Sequence, residues 1–484
     1  MGLLGILVGL GLLVCLAFRG WSVLLLAPLC ALVAAAFGGE PLLANWTQTF
    51  MGSAAVFLAQ FFPIFLLGAL FGKLMDDSGA VAAVASFITR CVGEGRVILA
   101  VVLAGALVTY GGVSLFVAFF VIVPMAQSLF RAADIPRRLV PAAVILGTST
   151  FTMSALPGTP SIQNAIPMPF FGTTPFAAPG LGVVASIIML GVGLWWLLRA
   201  ENVARRAGEG YGEEPPATSE AAVDDELLRE RATTAREFDP AELRHGHQSD
   251  AKVPTFSAIL PLVVVVAVNL VMSLFVLPRL DFSFLAEQQW GNTSLSAVAG
   301  VWSVVVALAA AIVAVILCNW TRLPALRQTM DAGANASVLP AVSVASLVGF
   351  GAVIASLPAF GMVRDWVLQI EGGPLVSLAV ATNLLAALTG SASGGLTIAL
   401  DALGGTYMDL AAEAGIDPGL LHRVAVIGSG TLDILPHNGA VVSLLAICGL
   451  THRDSYLDIV MVGIVSSIIA LATVIAIGTM VGSF

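Results

Sequence analysis

Charge is what this sequence has least of: 11% of its 484 residues are Asp, Glu, Lys or Arg, against roughly 25% in a soluble domain. So thin a supply cannot clothe a water-facing surface. Cysteine is also sparse, with Cys15, Cys30, Cys91, Cys318 and Cys448 scattered and never in a CxxC pair, which argues against a disulfide framework or a zinc site. No HExxH or GxSxG occurs and the five histidines are dispersed, so the nucleophile–base and metal sets of the common hydrolases are missing. An enzyme, a cofactor, a bound metal and a nucleic-acid partner are all unexpected. No Lys or Arg is expected deep inside an apolar run.

What is there is hydrophobic length. Runs such as 178–198, 256–277, 295–319 and 457–482 each reach the roughly 20 apolar residues that a hydrocarbon core demands. The expected fold is an all-α polytopic membrane protein with about 10–12 transmembrane helices, its partner the lipid bilayer. The first run, Gly2 to Phe18, has no basic segment before it and continues through Arg19 into a second apolar run, so it reads as a span and not as a signal peptide. Of the net charge of −9, the stretch from Ala200 to Lys252 carries 13 acidic and 7 basic residues. It reads as a solvated linker dividing the chain into a first membrane half (1–199), the linker (200–252) and a second membrane half (253–484). Assigning the basic loops to the inside leaves only Arg279, Arg364 and Arg423 outside, which puts the linker in the cytoplasm and the chain in the cytoplasmic (inner) membrane.

The halves repeat each other at an offset of about 280 residues. Gly111-Gly112-Val113-Ser114-Leu115 matches Gly394-Gly395-Leu396-Thr397-Ile398. Gly147-Thr148-Ser149-Thr150-Phe151 with Leu156-Pro157-Gly158-Thr159 matches Gly428-Ser429-Gly430-Thr431-Leu432 with Leu435-Pro436-His437-Asn438. The spans beginning at Pro63 and Pro340 pair more weakly. Under the loop assignment, 54–72 and 337–356 run in opposite senses, so the repeats are inverted. That is the architecture in which alternating access is built, with the site near the midplane.

Two kinds of interruption mark each half. Val97–Phe130 is cut at Thr109-Tyr110-Gly111-Gly112, and Pro374–Leu410 is cut at Thr389 to Gly395. Both read as re-entrant hairpins, whose tips need protein or a wet cavity to satisfy the backbone. The second kind is a helix broken by Pro and Gly, at 148–160 and at 428–439. Its half-helix N-termini would offer N–H groups to a carboxylate. The candidate substrate-binding residues are Thr109, Gly111, Gly112, Ser114, Thr148, Ser149, Thr150, Thr159, Gln163, Asn164, Ser391, Ser393, Gly394, Thr397, Ser429, Thr431 and Asn438. Asp433 and His437 are ionisable groups inside a span, which cost about 2.5–3.5 kcal/mol each, and are the candidates for carrying a proton. Asp401 is a weaker one. With no cation at depth, helix ends, amides and hydroxyls would hold a small, singly charged, hydroxylated acid.

At Gly68–Gly79 (GALFGKLMDDSG), Thr109–Phe116 (TYGGVSLF) and Thr152–Pro160 (TMSALPGTP) the sequence resembles the gluconate permease (GntP) family of the ion-transporter superfamily, and most closely its 3-hydroxybutyrate-permease branch. The resemblance runs through both membrane halves and excludes the linker. It implies proton-coupled uptake of a sugar acid or hydroxy acid, and the superfamily likeness implies a dimeric scaffold, hence a homodimer, and an elevator-type motion. Gluconate-type members carry a His- and Pro-rich stretch where this chain has Leu156–Pro160, which turns the expected substrate toward 3-hydroxybutyrate. Gluconate, or sodium coupling through the Ser-, Thr- and Gly-rich tips, is the alternative.

Overall fold

The computed structural model describes residues 2–19, 21–212, 253–436 and 438–484. Apolar runs become helices because only a helix satisfies its own backbone where water is absent, and no strand occurs among the described residues. In the first half α1 (Gly2–Phe18) and α2 (Val23–Gly38) form a pair, followed by the long α3 (Leu42–Asp77), α4 (Ala80–Val92), and the hairpin α5 (Val97–Tyr110) with α6 (Leu115–Ala132). A broken stretch follows, made of α7 (Val140–Thr148), α8 (Phe151–Ser154), α9 (Ile162–Ala165) and α10 (Pro167–Phe171), and α11 (Pro179–Arg206) closes the half.

The second half runs through the same order. The pair α12 (Thr255–Arg279) and α13 (Leu295–Arg322) leads to the long α14 (Leu326–Ser356) and the short α15 (Phe360–Leu368). Then come the hairpin α16 (Gly373–Thr389) with α17 (Ala392–Ala414), the broken pair α18 (Pro418–Thr431) and α19 (Gly439–Ile447), and finally α20 (His452–Val481). Among the described residues, six helices are long and apolar enough to cross a membrane: α3, α11, α12, α13, α14 and α20. Shorter apolar helices of 10–17 residues include the α5 arm. The 14 residues of α5 span about 21 Å at 1.5 Å per residue, short of the ~30 Å hydrocarbon core. The chain then reverses at Gly112 into α6.

The equivalent helices α3 and α14 pack on each other. A Cβ on Gly333 would lie 3.0 Å from the Leu70 Cα, while one on Gly349 would lie 2.7 Å from the Phe50 carbonyl oxygen. As one helix advances the other retreats, so the two repeats run in opposite senses. The glycines matched in the sequence also do the same job in each half. At Gly147 on α7 a side chain would overlap the Val102 carbonyl of α5, and at Gly428 on α18 it would overlap Thr382 of α16. In both repeats, glycine lets the broken helix lie close against the hairpin's first arm.

Helix α11 carries the chain beyond Arg199 to Arg206, and the residues after it fold back on the 131–138 turn. There the Tyr211 N–H donates to Asp134 (2.9 Å) and the Arg131 guanidinium lies over the Tyr211 ring. Arg138 pairs with Glu209 (2.8 Å) and with Asp458 of α20 (2.6 Å). The Glu209 carboxylate holds Arg138 in its charged form, above the ordinary arginine range. The start of the 200–252 segment is therefore anchored to the membrane unit, and 213–252 lie outside the described residues.

Candidate functional site

A cavity of about 220 Å³ opens where the first hairpin tip, the first break and the α3–α14 pair meet. Thr109, Gly112 and Ser114 of the tip line it, with Ser161 and Gln163 from the break, Lys73 on α3, Ser337 on α14 and Ser393 from the second tip. The tip is built by Gly112, whose φ of +96° turns the chain between α5 and α6. Its missing Cβ also leaves room for Pro160, whose ring would lie 3.0 Å from one. Ser114 stands at the α6 N-cap without a side-chain cap bond, so the first-turn amides of α6 remain available to a ligand. The rest of the wall is apolar, with Ile64, Phe65, Val113, Leu115, Ile162 and Val344.

Lys73 is a buried basic group close to the end of α3. The sequence reading counted it as a loop charge, but α3 runs on to Asp77 and buries it. One helical turn separates it from Asp77, and the two pair at 2.9 Å with side-chain exposures of 6% and 0%. From the other repeat, the Thr329 hydroxyl on α14 donates to the second Asp77 oxygen at 2.5 Å. The buried cation was legible only as part of the GALFGKLMDDSG stretch, and its neighbours Asp76 and Asp77 made that stretch look like a loop.

Arg423 is a second buried basic group. Assigned to an outer loop, it is instead fully buried on α18. Its Nη1 donates to the Ala155 carbonyl (3.1 Å), and its Nε and Nη2 donate to the Ala177 carbonyl (3.2 and 2.6 Å). A broken helix strands backbone carbonyls, and several of those here are met by side chains. Tyr110 of α5 donates to Pro157 (2.8 Å), Asn269 of α12 to Gly158 (3.0 Å), and Asn164 to Thr159 and Pro175 (both 3.0 Å). Both Asn164 amide hydrogens are thereby used, so its Oδ1 accepts from His422 Nε2 (3.1 Å). With Nε2 the donor, neutral His422 accepts at Nδ1 from the Thr173 hydroxyl (2.6 Å). His422 and Arg423 were missed by the sequence reading, although adjacent ionisable residues in the apolar run 420–428 were a signal for them.

The second break is closed in the same way. Tyr456 donates to Ile434 (3.3 Å), His452 Nε2 bonds the Pro436 carbonyl (2.8 Å), and Asn438 Nδ2 donates to both Gly390 at the hairpin tip (3.0 Å) and Asp433 (2.9 Å). Asn438 Oδ1 accepts from the Ala440 and Val441 amides, so the N-terminus of α19 is filled by its own cap and is not the open carboxylate site expected there. Ser391 caps α17 at Gly394, and Ser161 caps α9 at Asn164.

Of the sequence candidates, Thr109, Gly112, Ser114, Gln163 and Ser393 come together at the cavity. Gly111 lies against Leu262, and Gly394 against Leu347. Thr148, Thr150, Thr397, Ser429 and Thr431 are buried with their hydroxyls bonded back to carbonyls of the preceding turn, which commits their protons. Ser149 shares a bond with Thr148, and Thr159 is buried beneath the break. Asp433 sits by the second break, Asp401 is exposed on α17, and His437 lies outside the described residues. Among the described residues, no group of three or more His, Cys, Asp or Glu is placed to hold a metal.

The family model of GntP family permeases matches residues 1–172. The uncharacterized transporter YxjC of Bacillus subtilis (strain 168) is 41% identical over 489 residues, covering 100% of both chains. In fold, the chain is similar to the solved Neisseria gonorrhoeae MtrF, one of a class of antimetabolite efflux pumps, at a TM-score of 0.54 and 15% identity over 95% of this chain and 94% of that one. The Alcanivorax borkumensis YdaH transporter aligns at a TM-score of 0.46 and 14% identity, over 90% and 89%.

Proposed function

The chain belongs to the GntP permease family, and from that membership we propose that it is a secondary active transporter carrying a small hydroxy-monocarboxylate, such as 3-hydroxybutyrate, together with a proton. The observation that carries the reading is the cavity between the hairpin tip and the α3–α14 pair. At about 220 Å³ it falls below the roughly 300–1,000 Å³ of drug-sized pockets, which suits a four-carbon acid. Lys73 and the uncapped amides of α6 favour one carboxylate, and Ser114, Ser161, Gln163 and Ser393 suit one hydroxyl. The apolar wall favours this acid over a polyol. Gluconate would bring several hydroxyls against Ile64, Val113 and Val344, and each hydroxyl buried without a partner costs about 1–3 kcal/mol.

The inverted repeats supply two near-equivalent arrangements, so an elevator-type exchange of access is the mechanism proposed. The setting is the cytoplasmic membrane, with the 200–252 segment inside and two copies forming a homodimer. The candidates for the proton are Asp433 at the second break and His437, four residues on in the sequence. The test is uptake of labelled 3-hydroxybutyrate into proteoliposomes under a pH gradient, with and without sodium, against unlabelled gluconate, lactate and citrate. Accumulation driven by the pH gradient alone and blocked by lactate but not gluconate is expected. Uptake that requires sodium would overturn the proton assignment.

A further inference from the structure

We propose that Gln163 is the side chain that reads the substrate's hydroxyl, so that the carrier selects a hydroxy acid over the keto acid and the unsubstituted acid of the same carbon skeleton. This rests on the cavity being the substrate site. Three side-chain amides lie at the two breaks, and the fold uses two of them. Asn438 caps α19 and bonds Gly390 and Asp433. Asn164 bonds Thr159, Pro175 and His422. Gln163 lines the cavity at 8% exposure, and among the described residues no group bonds its side-chain amide.

Its place follows from its neighbours. Ser161 caps α9 at the Asn164 amide and donates to the Met153 carbonyl (2.9 Å), while Asn164 ties α9 into the break. Successive residues on a helix point about 100° apart, so Asn164 turned into the protein leaves Gln163 on the face that lines the cavity. The other polar side chains of that wall have partners. Thr109 donates to Gly105 (2.8 Å), Ser337 donates to Ala334 (2.6 Å), Ser393 shares a bond with Ser391 (3.2 Å) and Lys73 pairs with Asp77. Two polar groups of the cavity wall are left for a ligand: Gln163 from the break, and the half-buried Ser114 with the first amides of α6 at the tip. The substrate has two polar ends to match them, the carboxylate at the tip and the hydroxyl at Gln163.

A buried amide without a partner destabilises the empty protein, and a ligand that bonds it recovers the loss. The amide presents a donor nitrogen and an acceptor oxygen. A hydroxyl accepts from the one or donates to the other, so it meets Gln163 whichever way the amide is turned. A keto oxygen can only accept, which leaves the amide oxygen unmet, and a methylene meets neither atom. With carboxylate and chain length held constant, the order of preference is therefore 3-hydroxybutyrate, then 3-oxobutyrate, then butyrate. A site that bonds a hydroxyl rejects the analogue lacking it because its own polar group is then left unpaired.

The experiment uses the full chain in proteoliposomes and reads counterflow of labelled 3-hydroxybutyrate, with no imposed pH gradient for a permeant acid to dissipate. Unlabelled 3-hydroxybutyrate, 3-oxobutyrate and butyrate are the competitors. In wild-type protein butyrate is expected to need at least about tenfold more than 3-hydroxybutyrate for half-inhibition, with 3-oxobutyrate between them. Gln163→Met keeps the length of the side chain and removes the amide. It is expected to weaken 3-hydroxybutyrate until the three acids compete within about twofold of one another. Without substrate the same variant is expected to melt no lower than wild type, because no bond of the fold is lost, whereas loss of a structural amide would lower the midpoint. Equal competition by the three acids in wild type, an unchanged order in Gln163→Met or a lowered midpoint would overturn the role of Gln163 while the cavity reading stands. Wild-type protein that exchanges none of the probe would overturn the cavity reading and this proposal with it. The wild-type competition series needs no variant, so the test survives a variant that fails to fold.

Discussion

A buried arginine that bonds only carbonyls is an unusual use of a full charge, and Arg423 shows what it achieves. Its planar fork reaches Ala155 and Ala177 at once, tying both ends of the first broken stretch to α18. Lysine has one compact head and cannot span the two. Arg423→Lys is therefore expected to lower the thermal midpoint of the detergent-purified protein nearly as far as Arg423→Met, since either leaves at least one carbonyl unmet at about 1–3 kcal/mol each. Full rescue by lysine would show that charge, not geometry, is what matters there. Asn164 is a second such hub, bonded to Thr159, Pro175 and His422. Asn164→Asp removes the amide donors that meet two carbonyls and sets a carboxylate among them, so a lower midpoint than that of the wild type is expected from the same melting curve. The sequence marked Asn164 as an amide available to substrate. Only the surrounding carbonyls reveal that its hydrogens are already committed.

At the scale of elements, the two hairpin tips are held differently. The second is locked by Asn438, which bonds Gly390 and caps α19 in one stroke. Asn438→Ala should cost the cap, about 1 kcal/mol, and free the tip. Hydrogen exchange across 389–395 is expected to quicken while 109–115 stay as in the wild type, and equal rates in both tips would contradict this. The first tip depends on backbone shape. Gly112 sits at φ +96°, where a side chain is strained by about 1–3 kcal/mol, and Pro160 crowds the place a Cβ would take. Gly112→Ala is expected to abolish 3-hydroxybutyrate uptake while leaving the protein monodisperse on size exclusion, because the distortion falls on the cavity wall and not on the core. Undiminished uptake would remove this tip from the site.

For the whole molecule, the orientation of the halves is open to direct test. Cys15 and Cys91 are exposed, so impermeant maleimide labelling needs a background lacking them. In it, a cysteine at Gln288, on the exposed turn between α12 and α13, should label from outside, and one at Ala207, exposed just past the end of α11, should label only after permeabilisation. The reverse pattern would invert the topology. The membrane class, the two hairpins, the two breaks and the matched glycines were all legible in the sequence. Apolar length, proline and glycine act locally, so their consequences are written where the residues stand. Lys73, Asp77, His422 and Arg423 were not legible in this way. A charge next to Asp76 and Asp77, or one placed after a proline near a span end, looks the same whether it faces water or protein. Its burial is decided by the carbonyls, hydroxyls and carboxylates that other elements bring to it, and here those come from Ala155 and Ala177 for Arg423 and from Thr329, some 250 residues away, for Asp77. Sequence set where the helices run and stop; only the packing of one inverted repeat on the other determined which charges it encloses.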